Sequence, residues 1–211
     1  MTLEIDTFAV GPFQTNTYVV RSGGECWVID PGMGTGPVAA FLQERGLAPS
    51  RILLTHGHCD HIAGVEDVKA VAPEGRICVA GADAEMLTSA ALNLSEPFGL
   101  PMTAPPADEL LEAGQELPLG ESVWRILDTS GHTAGGLSFY CQAEAVVFTG
   151  DSLFARGVGR TDMPGGDWPR LLENIRNRLL SLPSQTQVYP GHGPATSIGA
   201  EKLHNPFIQG S

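Results

Sequence analysis

The chain has 211 residues, of which 42% are hydrophobic and 17% are charged, so its composition excludes a disordered chain and suffices for the core of one soluble domain. Its 24 acidic residues outnumber its 12 basic ones and give a formal net charge of −12. This balance argues against a nucleic-acid partner, because binding to phosphates requires clustered Lys and Arg. The length predicts a single domain over residues 1–211.

The sequence also argues against contact with a membrane. No apolar run approaches the roughly 20 residues that a spanning helix needs. The N-terminus, which begins Met1-Thr2-Leu3, lacks the basic start and the apolar stretch of a signal peptide. We predict a cytoplasmic protein, whose four scattered cysteines are reduced. Nothing in the sequence indicates the oligomeric state.

The hydrophobic pattern predicts seven strands and three helices along the chain. Short apolar runs predict strands at 3–10, 17–21, 25–29, 51–55, 123–127, 145–149 and 187–189. Helices are predicted from Pro37 to Arg45, over Val65–Ala72, and after Asp167, which can cap a helix with an apolar face that runs to Leu182. The longest irregular segment, 93–108, contains four prolines. It is either a loop at the edge of a pocket or a stiff connector.

Seven potential metal ligands follow four of these strands on glycine-containing turns. They are His56, His58, Asp60 and His61 after the strand at 51–55, and then His132, Asp151 and His192. Imidazole nitrogen suits Zn, Fe, Co or Ni, and carboxylate oxygen extends the choice to Mn. Seven ligands are too many for one tetrahedral ion and suit two. The pattern therefore predicts a binuclear metal centre of two divalent ions, with Zn favoured and Fe or Mn as alternatives.

Two less specific interpretations compete with a reactive metal centre. A single histidine is usually a core or surface residue, but the spacing His-x-His-x-Asp-His makes that interpretation poor for this cluster. A structural zinc site is usually closed and rich in cysteine thiolate. Because the candidate ligands here offer only nitrogen and oxygen, the pattern favours an open and reactive site.

These motifs resemble those of the metallo-β-lactamase superfamily, and in the right order they cover nearly the whole chain. Within the superfamily the chain is most similar to glyoxalase II-like hydrolases (hydroxyacylglutathione hydrolases), especially their short bacterial branch. The added similarity lies in residues 13–18, 30–32, 157–162, 190–194 and 201–207. The resemblance implies an α+β fold, the αββα sandwich of two mixed β-sheets with helices on the outer faces.

A hypothesis for the mechanism follows from this arrangement. His56, His58 and His132 would hold one ion, Asp60, His61 and His192 the second, and Asp151 would bridge them. Two ions about 3.5–4 Å apart lower the pKa of a shared water to near neutrality, so a metal-bridging hydroxide needs no side-chain base. Asp60 and Asp151 are thus the predicted catalytic carboxylates.

The predicted reaction is hydrolysis of a thioester, because a thiolate leaving group needs little help from an acid. The substrate is expected to be a small anionic acyl-thiol such as S-lactoylglutathione. However, full-length glyoxalase II enzymes carry a helical C-terminal domain for glutathione, and only 19 residues follow His192 here. Recognition of glutathione is therefore left open.

Residues beyond the ligands allow more than one interpretation. Asp30 is predicted to support a ligand through hydrogen bonds, or else to initiate a turn. Arg160 and Asp162 are predicted to form a buried pair that braces the Asp151 loop, with contact between Arg160 and substrate as the alternative. His204 is predicted either to line the rim of the pocket and bind substrate or to end a helix.

Three rival functions are compatible with the same motifs. The strongest is a mononuclear iron persulfide dioxygenase of the same fold, which the resemblance at 159–162 suggests and for which His56, His132 and Asp151 could supply the iron ligands. β-Lactam hydrolysis is second, and a metal-binding scaffold without catalysis is third.

Overall fold

Two six-stranded mixed β-sheets form the centre of the fold in this computed structural model, which describes residues 3–209. The first sheet has the order β1-β2-β3-β4-β5-β6. Its strands are β1 (Glu4–Val10), β2 (Thr15–Ser22), β3 (Glu25–Ile29), β4 (Arg51–Leu53), β5 (Arg76–Ala80) and β6 (Glu109–Leu111). The first three strands pair antiparallel, and β3 to β6 pair parallel.

The second sheet has the order β14-β13-β10-β9-β8-β7. Its strands are β7 (Glu116–Leu119), β8 (Ser122–Asp128), β9 (Leu137–Cys141), β10 (Val146–Gly150), β13 (Gln187–Pro190) and β14 (Thr196–Ser197). All neighbours pair antiparallel except β10 and β13, which are parallel. A small hairpin joins β11 (Leu153–Phe154) to β12 (Gly157–Val158).

Seven α-helices are present in the described part of the chain. They are α1 (Gly36–Glu44), α2 (Cys59–Ile62), α3 (Val65–Val71), α4 (Ala84–Thr88), α5 (Trp168–Asn174), α6 (Ile198–His204) and α7 (Pro206–Gln209). The predicted cap is confirmed, since the Asp167 carboxylate accepts a hydrogen bond from the Arg170 amide, and α5 continues as a π-helical turn at Ile175–Leu179. No helix within residues 3–209 is both long and apolar enough to cross a bilayer.

Alternation along the strands divides the core into three layers. Trp27 and Ile29 face the second sheet, where they share a buried cluster with Trp124 and Phe148. Val28, between them on β3, faces a different cluster that includes residues of α1 and α3. Residues of α5 and α6 cover the outer face of the second sheet. The predicted αββα sandwich is therefore confirmed.

The candidate ligands lie where the two sheets meet at one end. β4, β8, β10 and β13 correspond to the four predicted strands, and each precedes a ligand-bearing turn. The Leu137 amide donates to the Thr55 carbonyl, and the Asn16 amide donates to the Gly191 carbonyl, so backbone hydrogen bonds connect the two sheets there. The predicted domain of 1–211 includes residues 1–2 and 210–211, which lie outside the described residues, and its extent stays a prediction.

Candidate metal centre

Both sheets contribute to a cluster of five histidines and two aspartates. His56 and His58 lie between β4 and α2, and Asp60 and His61 lie within α2. The second sheet contributes His132, Asp151 and His192 from the loops after β8, β10 and β13. The structure thus brings together all seven residues that the sequence singled out.

Hydrogen bonds fix the orientation of three imidazole rings in the same way. His132 Nδ1 lies 2.7 Å from the Arg160 carbonyl oxygen, and His192 Nδ1 lies 3.1 Å from the Phe13 carbonyl oxygen. His61 Nδ1 lies 3.0 Å from Asp30 Oδ2. A carbonyl or carboxylate oxygen only accepts, so each Nδ1 donates a hydrogen bond and each Nε2 is directed toward the centre.

Asp30 also orients His56, through a threonine. The Thr55 hydroxyl donates to Asp30 Oδ2 at 2.6 Å, which leaves its oxygen to accept from His56 Nδ1 at 3.1 Å. The Thr55 amide donates to Asp30 Oδ1 at 2.7 Å. Asp30 itself has φ of 49°, an uncommon left-handed conformation for a residue other than glycine. This buried carboxylate thus supports two histidines, as metal-ligand partners do in other proteins.

Two groups of ligand atoms correspond to the ligand sets predicted for two ions. His56, His58 and His132 form one group, and Asp60, His61 and His192 form another, each with its ligand atoms within 4.8 Å of one another. A further set, His56 with His61 and Asp151, meets the same limit and shares one histidine with each group. One Asp151 carboxylate oxygen lies 3.6 Å from the Nε2 atoms of both His132 and His192. The bridging role of Asp151 and the assignment of ligands to ions stay predictions.

The imidazole nitrogens of this cluster are arranged as metal-binding residues would be. His61 Nε2 lies 3.3 Å from His192 Nε2, and His58 Nδ1 lies 3.0 Å from His132 Nε2. The buried Nε2 atoms of His56 and His58 have no hydrogen-bond partner among the described residues. Imidazole nitrogens this close need a proton or a metal ion between them, and this set of nitrogen and carboxylate donors suits divalent ions.

Electrostatics also favour ion binding at the two groups. Burial, together with the neighbouring histidines, lowers the pKa of His58 to about 3 and the pKa of His56 well below its usual range. Both rings are therefore neutral at pH 7, which is the form that binds metal. At His61 burial acts in the same direction, but Asp60, Asp151 and Asp30 outweigh it and raise the pKa. The second group thus favours positive charge.

A cavity of about 370 Å³ opens above the cluster. Its base is formed by His58, Asp60, His132, Asp151 and His192. Its remaining walls are mostly apolar and come from the β1–β2 turn, the segment 93–98 and the chain from Phe154 to Met163. The segment that contains Asn93, left open as a loop or a connector, therefore lines the pocket.

The family follows from a comparison of the sequence with known families. The model of the family described as "Metallo-beta-lactamase superfamily" matches residues 10–192, a span that includes every candidate ligand. The chain belongs to the metallo-beta-lactamase superfamily.

Two curated members of the superfamily cover nearly all of the chain. The "Probable metallo-hydrolase YqgX" of Bacillus subtilis (strain 168) is 39% identical over 95% of both sequences. The hydroxyacylglutathione hydrolase GloC of Haemophilus influenzae (strain ATCC 51907 / DSM 11121 / KW20 / Rd) is 33% identical over 98% of both. These relatives support a metal-dependent hydrolase.

Three solved structures share the fold of this chain. The BLEG-1 B3 metallo-beta-lactamase has a TM-score of 0.94 and 40% identity, with 98% of this chain and all of that chain covered. TTHA1623, solved in a di-iron-bound form, has a TM-score of 0.86 and 37% identity, with 96% and 99% covered. ETHE1 from Myxococcus xanthus has a TM-score of 0.78 and 28% identity, with 99% and 86% covered.

The structure corrects the environment predicted for Arg160 and Asp162. The two side chains do pair, through hydrogen bonds of 2.6 and 2.7 Å, but they are 63% and 68% exposed rather than buried. Support for the centre comes instead from the Arg160 carbonyl, which accepts from His132. Asp162 makes no hydrogen bond to a candidate ligand within the described residues, whereas Arg160 lines the cavity.

His204 lies away from the metal cluster. It ends α6, is exposed, and lines a separate depression with Arg156 and Glu201. The structure therefore does not bring it to the rim of the cavity. Its place in the last turn of a helix agrees with the alternative interpretation, since a basic side chain is favourable there.

One buried carboxylate near the centre was missed. Asp83, which follows β5, accepts hydrogen bonds from the Gly57 amide at 3.1 Å, the Thr133 hydroxyl at 2.7 Å and the Gly135 amide at 2.7 Å. It therefore joins the loop of His56 and His58 to the loop of His132. Its position just after a strand was a possible signal, but an aspartate there is also common at the start of a helix.

Substitution Asp83→Ala is expected to destabilise the protein strongly. The change leaves three buried donors without an acceptor, and each unsatisfied donor costs about 1–3 kcal/mol. Removal of the Asp83 carboxyl, whose pKa is raised by burial, offsets part of this cost. We expect the free energy of unfolding to fall by roughly 2–4 kcal/mol, as measured by urea denaturation at equal metal content. The exposed Asp162→Ala is the matched control, and an equal loss in both variants would contradict the role of Asp83.

Proposed function

We propose that the protein is a metal-dependent thioester hydrolase that acts on a small anionic acyl-thiol such as S-lactoylglutathione. The observation that carries the proposal is the pair of ligand groups, with Asp151 between them, at the base of an open cavity. The hydroxyacylglutathione hydrolase among its relatives supports the thioester as substrate. From the net charge of −12 we further propose that the protein has no nucleic-acid partner. The cytoplasmic location and the absence of a membrane partner stay predictions from the sequence.

In this proposal each of the two ions has its own set of ligands. His56, His58 and His132 would hold one divalent ion, Asp60, His61 and His192 the other, and Asp151 both. Zn is the favoured metal, with Fe or Mn as alternatives, and the di-iron form of a relative supports keeping iron among them. Two such ions supply a Lewis acid and a water whose pKa is near neutrality.

Side chains and carbonyls of the protein keep this centre in a reactive arrangement. The Asp30 carboxylate and the carbonyls of Phe13 and Arg160 hold the Nε2 atoms of their histidine partners toward the centre. Thr15 donates to Asp60 Oδ2 at 3.1 Å and orients that carboxylate. Preorganised ligands need no rearrangement when charge develops on the substrate.

The leaving group suits the side chains that line the cavity. Hydrolysis adds water across the acyl–sulfur bond and yields a carboxylate, a thiol and a proton. Among the described lining residues, no carboxyl group lies outside the ligand groups, so none is free to act as a general acid. Burial raises the pKa of the nearby Cys59 thiol and makes it a poor donor. A thiolate departs without such a donor, which favours a thioester over an amide.

Purified, metal-replete protein is expected to hydrolyse S-lactoylglutathione, and His58→Ala is expected to lower kcat/KM by about 100-fold or more. The loss of the thioester absorbance measures the rate, and metal analysis of both proteins accompanies it. Equal rates in the two proteins would contradict a role for the centre. No turnover by fully loaded wild-type protein would contradict the proposed substrate.

A mononuclear iron persulfide dioxygenase is the second candidate, because residues 159–162 resemble a stretch of that family. His56, His132 and Asp151 could supply the two histidines and one carboxylate of a mononuclear iron site. Oxygen uptake with glutathione persulfide, together with one iron per chain, would favour this function over hydrolysis.

β-Lactam hydrolysis is the third candidate, because the solved B3 metallo-beta-lactamase shares 40% identity over nearly the whole chain. The same ligand groups would serve a lactam carbonyl, although its nitrogen leaving group requires more protonation than a thiolate. Turnover of a chromogenic cephalosporin at a higher kcat/KM than that of thioesters would favour this function.

A further inference from the structure

Two segments of the chain place apolar side chains in the cavity above the metal cluster. Phe13, Leu94 and Phe98 come from the β1–β2 turn and from the segment after α4. Phe154, Val158 and Met163 come from the β11–β12 hairpin and the loop that follows it. Phe13 and Phe98 meet edge to face, with ring centroids 5.9 Å apart. These six residues, called the apolar wall below, line the cavity next to the candidate ligands.

The Phe13–Phe98 part of the apolar wall is exposed although it is hydrophobic. Phe98 is 58% exposed and Phe13 is 40% exposed, and the neighbouring Leu100 is 54% exposed. Exposed aromatic pairs beside a cavity cost hydration free energy that a bound apolar group would recover. Their position at the cavity, beside the candidate ligands, points to a ligand surface, whereas the exposed pair of Trp168 and Phe207 lies away from the cavity.

Hydrogen bonds anchor this part of the wall to the metal motif. The Cys59 amide donates to the Asn93 carbonyl at 2.9 Å. The buried Asn93 side chain donates to the Met102 carbonyl at 3.0 Å and accepts from the Ser95 amide at 3.0 Å. Leu94, which lies between these contacts, has φ of 70°. A strained residue held by surrounding contacts is typical of a preformed binding site.

The charges of the cavity match a glutathione portion poorly. Arg160 is the one Lys or Arg among the described residues that line the cavity. Its guanidinium already makes two hydrogen bonds to Asp162, so a substrate carboxylate would compete with that pair. Glutathione carries two carboxylates, and at most one of them could pair with Arg160. The apolar wall offers a better match to an uncharged group.

We propose that the apolar wall selects thioesters that carry an apolar group next to the thioester carbonyl, and that Phe98 is a residue that determines this specificity. The inference rests on the proposed thioesterase function and narrows its substrate class. The apolar group can belong to the acyl portion or to the thiol portion, since both adjoin the cleaved bond. A charged thiol such as glutathione is then not required.

Four thioesters test the proposal and show whether the apolar group belongs to the acyl portion or to the thiol portion. S-Lactoylglutathione and S-mandeloylglutathione differ by a phenyl group in the acyl portion. Lactoyl thioesters of N-acetylcysteamine and of benzyl mercaptan differ by an apolar group in the thiol portion. In at least one pair the wild-type protein is expected to favour the phenyl-bearing ester about 10-fold in kcat/KM, and the pair that responds identifies the source.

Two variants test whether the apolar wall causes the preference that is measured. Phe98→Ala is expected to remove most of the roughly 10-fold preference, because it lowers kcat/KM for the phenyl-bearing ester more than kcat/KM for the small ester. Phe207→Ala is the matched control, because Phe207 on α7 is also a half-exposed phenylalanine but contacts Trp168 of α5, away from the cavity. Metal content is measured in each protein to exclude an indirect effect.

The outcomes distinguish this inference from the proposed function. If no thioester is hydrolysed by metal-loaded protein, the thioesterase function is wrong and the inference falls with it. If thioesters are hydrolysed without a preference in either pair, the function stands and the inference is overturned. A preference that persists in Phe98→Ala would overturn the role of Phe98.

Discussion

Asp151→Ala is expected to lower the content of both ions together and to reduce thioester hydrolysis by about 10³-fold or more. The reason is geometric, because Asp151 is the one carboxylate among residues 3–209 with an oxygen 3.6 Å from the Nε2 atoms of both His132 and His192. Each other ligand is predicted to hold one ion, so its loss is expected to affect mainly that ion. Metal analysis after dialysis and kcat/KM for S-lactoylglutathione measure the two effects.

Two further variants make the Asp151 result specific. Asp151→Asn keeps the size of the side chain but removes its charge, so it is expected to retain the fold and to lose metal. Asp67→Ala removes an exposed aspartate of α3 and is expected to change neither metal content nor rate. An Asp151→Ala protein that keeps two ions and full activity would refute the bridging position.

Gly191→Ala is expected to disable the centre although Gly191 is not a ligand. A Cβ atom there would collide with Asp151 Oδ1 and would lie 2.7 Å from His61 Cε1. Both groups must then move, and a misplacement of about 1 Å can cost 10²-fold in rate. We expect kcat/KM to fall by about 100-fold and metal affinity to weaken, as measured by competition with a chelator.

Gly36→Ala provides the control for an added methyl group. Gly36 begins α1, and a Cβ atom there would meet no other atom within 4 Å. Alanine also favours a helix more than glycine does, so stability is expected to stay equal or to rise by up to about 1 kcal/mol. If Gly191→Ala matched Gly36→Ala in rate and metal content, the close approach at Gly191 would have no functional role.

The positions of the seven candidate ligands could be predicted because two signals coincided. Each ligand loop follows an apolar strand, and strand ends collect at the edges of sheets. His132 and His192 were therefore predictable without a local motif. The αββα layers likewise follow from strands and amphipathic helices whose order the hydrophobic pattern shows.

The groups that orient the ligands and join their loops could not be predicted in the same way. The Phe13 and Arg160 carbonyls orient His192 and His132, and a backbone carbonyl has no signature in a sequence. Asp83 joins two loops that are about 50 and 26 residues away along the chain, which only the tertiary fold brings together. The exposure of the Arg160–Asp162 pair also depends on that fold and not on spacing.

The division of the ligand groups between the two sheets has a thermodynamic consequence. Each group combines residues that follow β4 with a histidine from the second sheet, so neither half of the sandwich holds a complete group. Ions that bind only when both halves are docked act as reversible cross-links, and their binding free energy adds to the stability of the folded chain. A higher concentration of available metal is therefore expected to raise the free energy of unfolding of this protein.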